Sequence, residues 1–389
     1  MGCKPMKKLL LASVLIFSLN LFADDFSDFQ KQQEQSYGNY KNTLEEDFKS
    51  YQQAYDDAFK EFTKALGKKW PTKDGTAELT TQKKFVQYDK ELDSKKVINY
   101  DKKNISLEVI AKTEDEARKK IEIMFTTLLK EDVSEATKKD ILENKIAEKL
   151  NTARKPIKSS QKLIEDIITV QEQNEMKKNL KKQNLIVVKH NGKFIYKANV
   201  KMPPDSMVRK AKTFKTDVVK NANKQEIPAE LIYAIMHSES SFNPMARSHI
   251  PAFGLMQIVP KSAGIDSYQY LYNKKRVLSS SYLYNSENNI TIGSAYLHIL
   301  YYRYLKKITN PQSRLYCAIA AYNTGAGNVA KTFIGNKNIN KAAITINKMS
   351  SEQVYQKLIS TLPYNETRIY LKKVNDRVSL YNKLLKTTL

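Results

Sequence analysis

The sequence predicts an α+β protein: an all-α carboxy-terminal domain, preceded by a smaller α+β domain and an amino-terminal amphipathic helix. Three observations point there. Residues 37–66 carry apolar side chains at helical spacing; 84–111 and 185–200 hold short strand-like runs; beyond Pro204 the apolar pattern is helical. A length of 389 residues exceeds one ordinary domain. With 41% apolar and 27% charged residues the chain can bury real cores and does not have the composition of a disordered tail. Gly 11 and Pro 11 exclude collagen-like and Pro-rich readings, and two cysteines exclude a disulfide scaffold or the usual four-ligand zinc site. The net charge of +24 predicts an anionic partner, whether nucleic acid, a membrane surface or an acidic polymer.

The elements follow in order. Lys4, Lys7 and Lys8 precede an uncharged run from Leu9 to Ala23, followed by Asp24 and Asp25. This is the pattern of a cleavable export signal over residues 1–23, and the run is shorter than the ~20 residues of a membrane-spanning helix. Met6 opens the same pattern as an alternative start. Cys3 lies ahead of the apolar run, where no lipoprotein cysteine can lie, so a soluble periplasmic protein is expected. Export argues against nucleic acid as partner. Cys317 reads as a small buried apolar residue.

Residues 24–69 form the amphipathic segment, with the stripe Tyr37, Tyr40, Leu44, Phe48, Tyr51, Tyr55, Phe59, Phe62 and Leu66 near the helical period. Such a stripe is core packing or a coiled-coil seam, which leaves the oligomeric state open. Residues 70–204 form the α+β domain. Strands are expected at 84–88, 96–101 and 104–111, then two or three helices between 113 and 176. A hairpin of 185–190 with 193–200 turns at Asn191-Gly192. Pro203-Pro204 marks the boundary. Residues 205–389 form the all-α domain, with helices at about 206–224, 228–240, 288–306, 311–323, 350–361 and 366–386.

Chemistry concentrates at Glu239. It ends a helix opened by Pro228 and falls on the stripe of Leu231, Ile232 and Ile235. A carboxylate there either snorkels at the rim or sits in a partly desolvated cleft, where its pKa rises toward that of a general acid. Downstream come Glu239-Ser240-Ser241-Phe242-Asn243-Pro244, Ser248, Gly254-Leu255-Met256-Gln257, Ala321-Tyr322-Asn323-Thr324-Gly325-Ala326-Gly327, and Glu366-Thr367-Arg368 with Tyr370. At these residues the chain resembles the soluble-lytic-transglycosylase family, whose pattern is ESxF, a serine, GLMQ, AYNxGxG and ETRxY. The resemblance covers about 225–375 and is closest to the membrane-bound lytic murein transglycosylase C type, whose short α+β domain is similar to 70–204. That type is a lipoprotein, and here no cysteine directly follows the apolar run, which is followed by Asp24 and Asp25.

The resemblance implies a lysozyme-like catalytic domain acting on peptidoglycan glycan strands. Glu239 would protonate the oxygen between N-acetylmuramic acid and N-acetylglucosamine. The 2-acetamido oxygen would stabilise C1, and Glu239 would then deprotonate the C6 hydroxyl to close a 1,6-anhydro ring. It also implies substrate-binding roles for Ser248, Met256, Gln257, Tyr322, Asn323, Glu366 and Tyr370. From the residues alone, Ser248 is equally a loop hydroxyl, Met256 a core residue and Glu366 a salt-bridge partner of Arg368. Gly325 and Gly327 are read as ending a helix. His190, His237, His249 and His298 form no metal pattern, and no P-loop or dinucleotide fingerprint occurs, so neither metal nor cofactor is expected. Two alternatives stay open: a goose-type lysozyme-like hydrolase on the same fold, and a non-catalytic cell-wall-binding protein; in each case peripheral association with the envelope is a further expectation.

Overall fold

The computed structural model describes residues 46, 49–72, 77–154, 157–248 and 251–387. The export signal and the stripe residues Tyr37, Tyr40, Leu44 and Phe48 lie outside the described residues. The chain divides into two compact units, Met1–Ala54 and Tyr55–Leu389. The described residues of the first are helical. All that follows concerns the second.

Helix α1 (55–67) buries Tyr55, Ala58, Phe62 and Leu66. Trp70 closes it, donating from Nε1 to the Leu92 carbonyl at 2.9 Å. Five strands follow: β1 (Lys84–Tyr88), β2 (Ser94–Asn99), β3 (Asn104–Ala111), β4 (Ile186–His190) and β5 (Lys193–Lys201). They form one antiparallel sheet in the order β1-β2-β3-β5-β4. In the central strand Val109 pairs with Ser94 on one side and Tyr196 on the other. Asn191 and Gly192 turn the β4–β5 hairpin with positive φ of 47° and 77°, the twist a two-residue hairpin requires. Between β3 and β4 run α2 (Glu114–Lys130), α3 (Val133–Lys138), α4 (Ile141–Lys149) and α5 (Val170–Lys182). α2 and α5 touch each other and cover β3 and β5, burying Ile121, Phe125 and Leu128 from one and Met176 and Leu180 from the other.

The rest is helical: α6 (Ser206–Lys212), α7 (Lys215–Gln225), α8 (Ala229–Ser240), α9 (Ile265–Tyr272), α10 (Ser280–Tyr284), α11 (Ser286–His298), α12 (Pro311–Thr324), α13 (Ala326–Ile334), α14 (Ile339–Ile346), α15 (Ser351–Thr361) and α16 (Asn365–Thr387). The class expected from the sequence, α+β with an all-α carboxy-terminal part, is the class observed. Local differences have physical causes. The helix expected over 206–224 breaks at Thr213–Phe214, where the buried Phe214 ring stacks on Phe242 at 6.2 Å. Pro228 caps α8 from outside; its carbonyl accepts from Leu231 N at 3.0 Å. α13 and α14 were not expected, since short helices over 326–346 follow a glycine-rich stretch. Gly325, at φ 83°, does end α12, but Gly327 lies inside α13. α8 is buried all round from Leu231 to Met236, wedged between α7 and α16, so its last turn is rigidly placed. Among the described residues no helix is long and apolar enough to cross a membrane.

Candidate active site

Glu239 occupies the last turn of α8 and is 8% exposed. The chain leaves it through two consecutive left-handed residues, Ser241 at φ 50° and Phe242 at φ 61°. A bulky residue rarely adopts that conformation, and it persists only where packing over-determines it. Phe242 is fully buried among Phe214, Tyr233, His237 and Tyr381, with ring centroids 5.6–6.4 Å away. The polar residues of this turn then fasten it in two directions. Ser240 Oγ donates to the Leu255 carbonyl at 2.7 Å, with Met236 O a second acceptor at 2.9 Å. Ser241 Oγ donates to Asp101 Oδ1 at 3.2 Å, and Asn243 Nδ2 reaches the Gln82 carbonyl at 3.3 Å. The loop after Glu239 therefore joins the Gly254–Gln257 loop to the approach to β1.

The Gly254–Gln257 loop is a tight turn: Gln257 N donates to Gly254 O at 3.1 Å, and Phe253 bridges to Ile258. Gly254 has φ 74°, and a Cβ there would lie 2.4 Å from Leu283 O and 2.3 Å from Asn289 Nδ2, so only glycine fits. Asn289, fully buried on α11, holds the turn. It accepts from Met256 N and donates to the carbonyls of Phe253 and Leu283, each at 2.8 Å. The sequence reading missed Asn289. Its signal was a polar residue three and four positions ahead of the buried Ile292 and Gly293.

The other expected site residues gather around this frame. Tyr322 is within electrostatic reach of Glu239, but its hydroxyl donates to the Met256 carbonyl at 2.8 Å, bracing the turn rather than meeting the carboxylate. Asn323 Oδ1 accepts from Thr367 Oγ1 at 2.7 Å, tying the end of α12 to the start of α16. Met256 is fully buried, its sulfur seated where a Cβ on Gly293 would be, so its side chain supports the turn from beneath. Gln257 Oε1 is buried with no hydrogen-bond partner, a spare acceptor beside the turn. Ser248 and the exposed Glu366 line a cavity of about 490 Å³ with Thr80, Thr81, Gln82 and Leu142. Glu239 is not in that lining, although Glu366 acts on it electrostatically. Arg368 turns away from Glu366 and donates to Ser360 O at 3.3 Å. Beside Ser248, the nearly buried Arg247 pairs with Glu143 at 3.1 Å and Asp140 at 3.3 Å, so α4 steadies this wall. His249 lies outside the described residues.

Beside the Gly254–Gln257 turn the electrostatics single out Glu239. Burial pushes Glu239 up from 4.5 to about 7; Glu366 adds to the rise, while Tyr370 and Lys83 oppose it. The buried Tyr370 hydroxyl makes no hydrogen bond of ordinary geometry, yet it faces Glu239 closely enough to favour the charged form. Lys83 comes from the approach to β1 and pairs with Asp101 at 3.5 Å. Nothing in the local sequence announces it; only the sheet ladder brings it here. His237, half-buried and within electrostatic reach of Arg377, is pushed down to about 3 by desolvation and stays neutral. Its Nδ1 lies 3.0 Å from the Tyr381 hydroxyl, which makes it a packing residue, not a base.

Comparison with known proteins gives this arrangement its context. Residues 218–345 match the family model "Transglycosylase SLT domain", and residues 44–213 match "Membrane-bound lytic murein transglycosylase C, N-terminal domain". A membrane-bound lytic murein transglycosylase C of Cronobacter sakazakii is 34% identical over 304 residues, covering 77% of this chain and 82% of the relative. One from Salmonella typhi is 35% identical over 310 residues, with 77% and 82% covered. The chain belongs to the membrane-bound lytic murein transglycosylase C family. It is a lytic transglycosylase acting on peptidoglycan. Among solved structures it is similar to an inactive mutant of the lytic transglycosylase Slt from Pseudomonas aeruginosa, with 25% identity, TM-score 0.36 and coverage of 47% and 26%. The 70 kDa soluble lytic transglycosylase of Escherichia coli is 17% identical, with TM-score 0.35 and coverage of 70% and 44%.

Proposed function

We propose that this transglycosylase cleaves the β-1,4 bond between N-acetylmuramic acid and N-acetylglucosamine with Glu239 as its single acid–base group, leaving 1,6-anhydro ends. The observation that carries the reading is one buried carboxyl raised to about 7, protonated in a useful fraction near neutrality. Protonated Glu239 gives its proton to the glycosidic oxygen as the C1–O bond breaks. The substrate's 2-acetamido oxygen stabilises C1 in place of a protein nucleophile. Glu239, now ionised and facing the Tyr370 hydroxyl, takes the proton of the C6 hydroxyl while O6 bonds to C1. The enzyme ends protonated as it began, and no water is consumed.

In this reading Gln257 offers its unpartnered Oε1 to the sugar, and Ser248 and Glu366 contact substrate along their shared cavity wall. Tyr370 orients the carboxyl. Met256, Tyr322 and Asn323 act through the turn and helix ends they brace. Residues 70–204 and 205–389 serve as the α+β and lysozyme-like catalytic domains, and residues 1–23 as an export signal that delivers the enzyme to the periplasm.

The test is a digest of purified peptidoglycan with mass spectrometry of the fragments and a Glu239→Gln control. Products lighter by one water than their reducing counterparts, absent from the control, are the expected result. Reducing ends instead would make the enzyme a hydrolase, and the same products from the control would remove Glu239 from the mechanism.

A further inference from the structure

Four large apolar side chains stand exposed together on the β4–β5 hairpin. Ile186, Val187, Val188 and Phe194 are 53%, 48%, 43% and 42% exposed. Among the described residues β4 is an edge strand that pairs only with β5. The register sets Val187 and Lys189 opposite Tyr196 and Phe194 on one sheet face, and Ile186 and Val188 opposite Lys197 and Ile195 on the other. The strand is thus apolar on both faces and, among the described residues, unpaired along its outer edge. The exposed Lys182, Lys189 and Lys193 flank it, none in an ion pair among the described residues, and Lys189 Nζ lies 5.9 Å from the Phe194 ring centre.

We propose that this hairpin is a docking edge for an anionic lipid bilayer, seated at the boundary between headgroups and acyl chains. Apolar side chains on both faces ask for a surrounding apolar medium, and the lysines ask for anions. A lipid interface supplies both at once, because lysine stems can lie along apolar matter while the ammonium reaches the headgroups. The depth is limited by the outer backbone groups of β4, which have no strand partner among the described residues and must stay hydrated. A second copy fits less well. Lys189 guards the edge against strand pairing, and two chains of net charge +24 repel each other. An acidic strand from another protein would cover the edge and leave both apolar faces in water.

The sheet gives the docking edge a consequence. β1, at the opposite side of the sheet, leads from Thr80, Thr81 and Gln82 at the wall of the cavity shared with Ser248 and Glu366. Four strand spacings of about 4.8 Å separate the two edges by roughly 19 Å. Docking through β4 leaves the cleft free to take a polymer lying alongside the membrane.

The experiment is vesicle flotation of the chain from Asp24 with phosphatidylethanolamine–phosphatidylglycerol vesicles and with phosphatidylcholine vesicles. Preference for the anionic vesicles is expected to be at least about tenfold at low salt, since each lysine near an anionic surface strengthens attraction several-fold. A triple Ile186→Thr, Val187→Thr, Val188→Thr variant keeps β-branched residues in the strand and should bind at least about tenfold more weakly, with unchanged circular dichroism. A triple Lys182→Gln, Lys189→Gln, Lys193→Gln variant should weaken the anionic preference at least about tenfold and tests the idea independently if the threonine variant misfolds. No flotation, or equal flotation of the parent and both variants, would overturn it. So would sedimentation as a dimer that the threonine variant returns to monomer, because the strand would then pair with a second copy.

Discussion

Glu239 and Glu366 lie within electrostatic reach of each other, yet they meet opposite environments. Glu239 ends a helix buried on every side and is raised to about 7, whereas Glu366 stands exposed in the first turn of α16. In water both would be ordinary carboxylates. The difference teaches that placement by the backbone sets a carboxyl's character: desolvation is the largest influence on Glu239, and the neighbouring charges adjust it. Glu366 serves as one of those charges.

The comparison can be broken most forcefully at Glu239. Replacing it with Gln keeps the shape and removes the proton, so the turnover of peptidoglycan should fall by at least about 10³-fold, the scale of a lost acid–base group. Activity within tenfold of the parent would erase the distinction between the two carboxylates. The frame is the next target. Asn289→Ala removes three buried hydrogen bonds from the turn beside Glu239 and should cost about 3 kcal/mol in thermal or denaturant unfolding. A loss below about 1 kcal/mol would mean the turn holds itself.

A third test reads the burial of Glu239 from stability. Its folded pKa lies above its ordinary value, so the stabilisation its protonation provides is complete below about 4.5 and is lost as pH rises to about 7. Above that range folding retains a buried charge. Glu239→Gln should therefore stabilise the protein more at pH 8 than at pH 5, by at most about 3 kcal/mol. Calorimetry at the two pH values checks this, and an equal effect at both would show a solvated carboxyl. The smallest effects sharpen the comparison. Glu366→Gln removes a negative neighbour and should move the alkaline limb of the rate profile to lower pH. Lys83→Met and Tyr370→Phe remove groups that favour the charged form and should move it higher. Profiles that coincide would show that burial alone sets the value.

Much of this was legible beforehand where interactions are local. The alternation of Ile105, Leu107 and Val109 gave β3, Asn191-Gly192 gave the hairpin, and the stripe from Leu231 through Ile235 put Glu239 on an apolar helix. The breaks were less legible. Phe214 interrupts a helical pattern because its ring packs on Phe242, a contact between residues 28 positions apart in sequence. Met256 and Tyr322 carry motif positions, but their side chains brace the turn, which no spacing rule distinguishes from contact with substrate.

The sequence by itself determined the elements, the helix that carries Glu239 and the motif residues near it, because period, turn chemistry and capping act over a few residues. Only the tertiary structure decided the environment of that carboxyl. Lys83 reaches it and Asp101 holds the following Ser241 from the sheet, Asn289 holds its neighbouring turn from another helix, and burial raises its pKa. Desolvation and electrostatics depend on which surfaces meet in space, and that is settled only when distant segments pack.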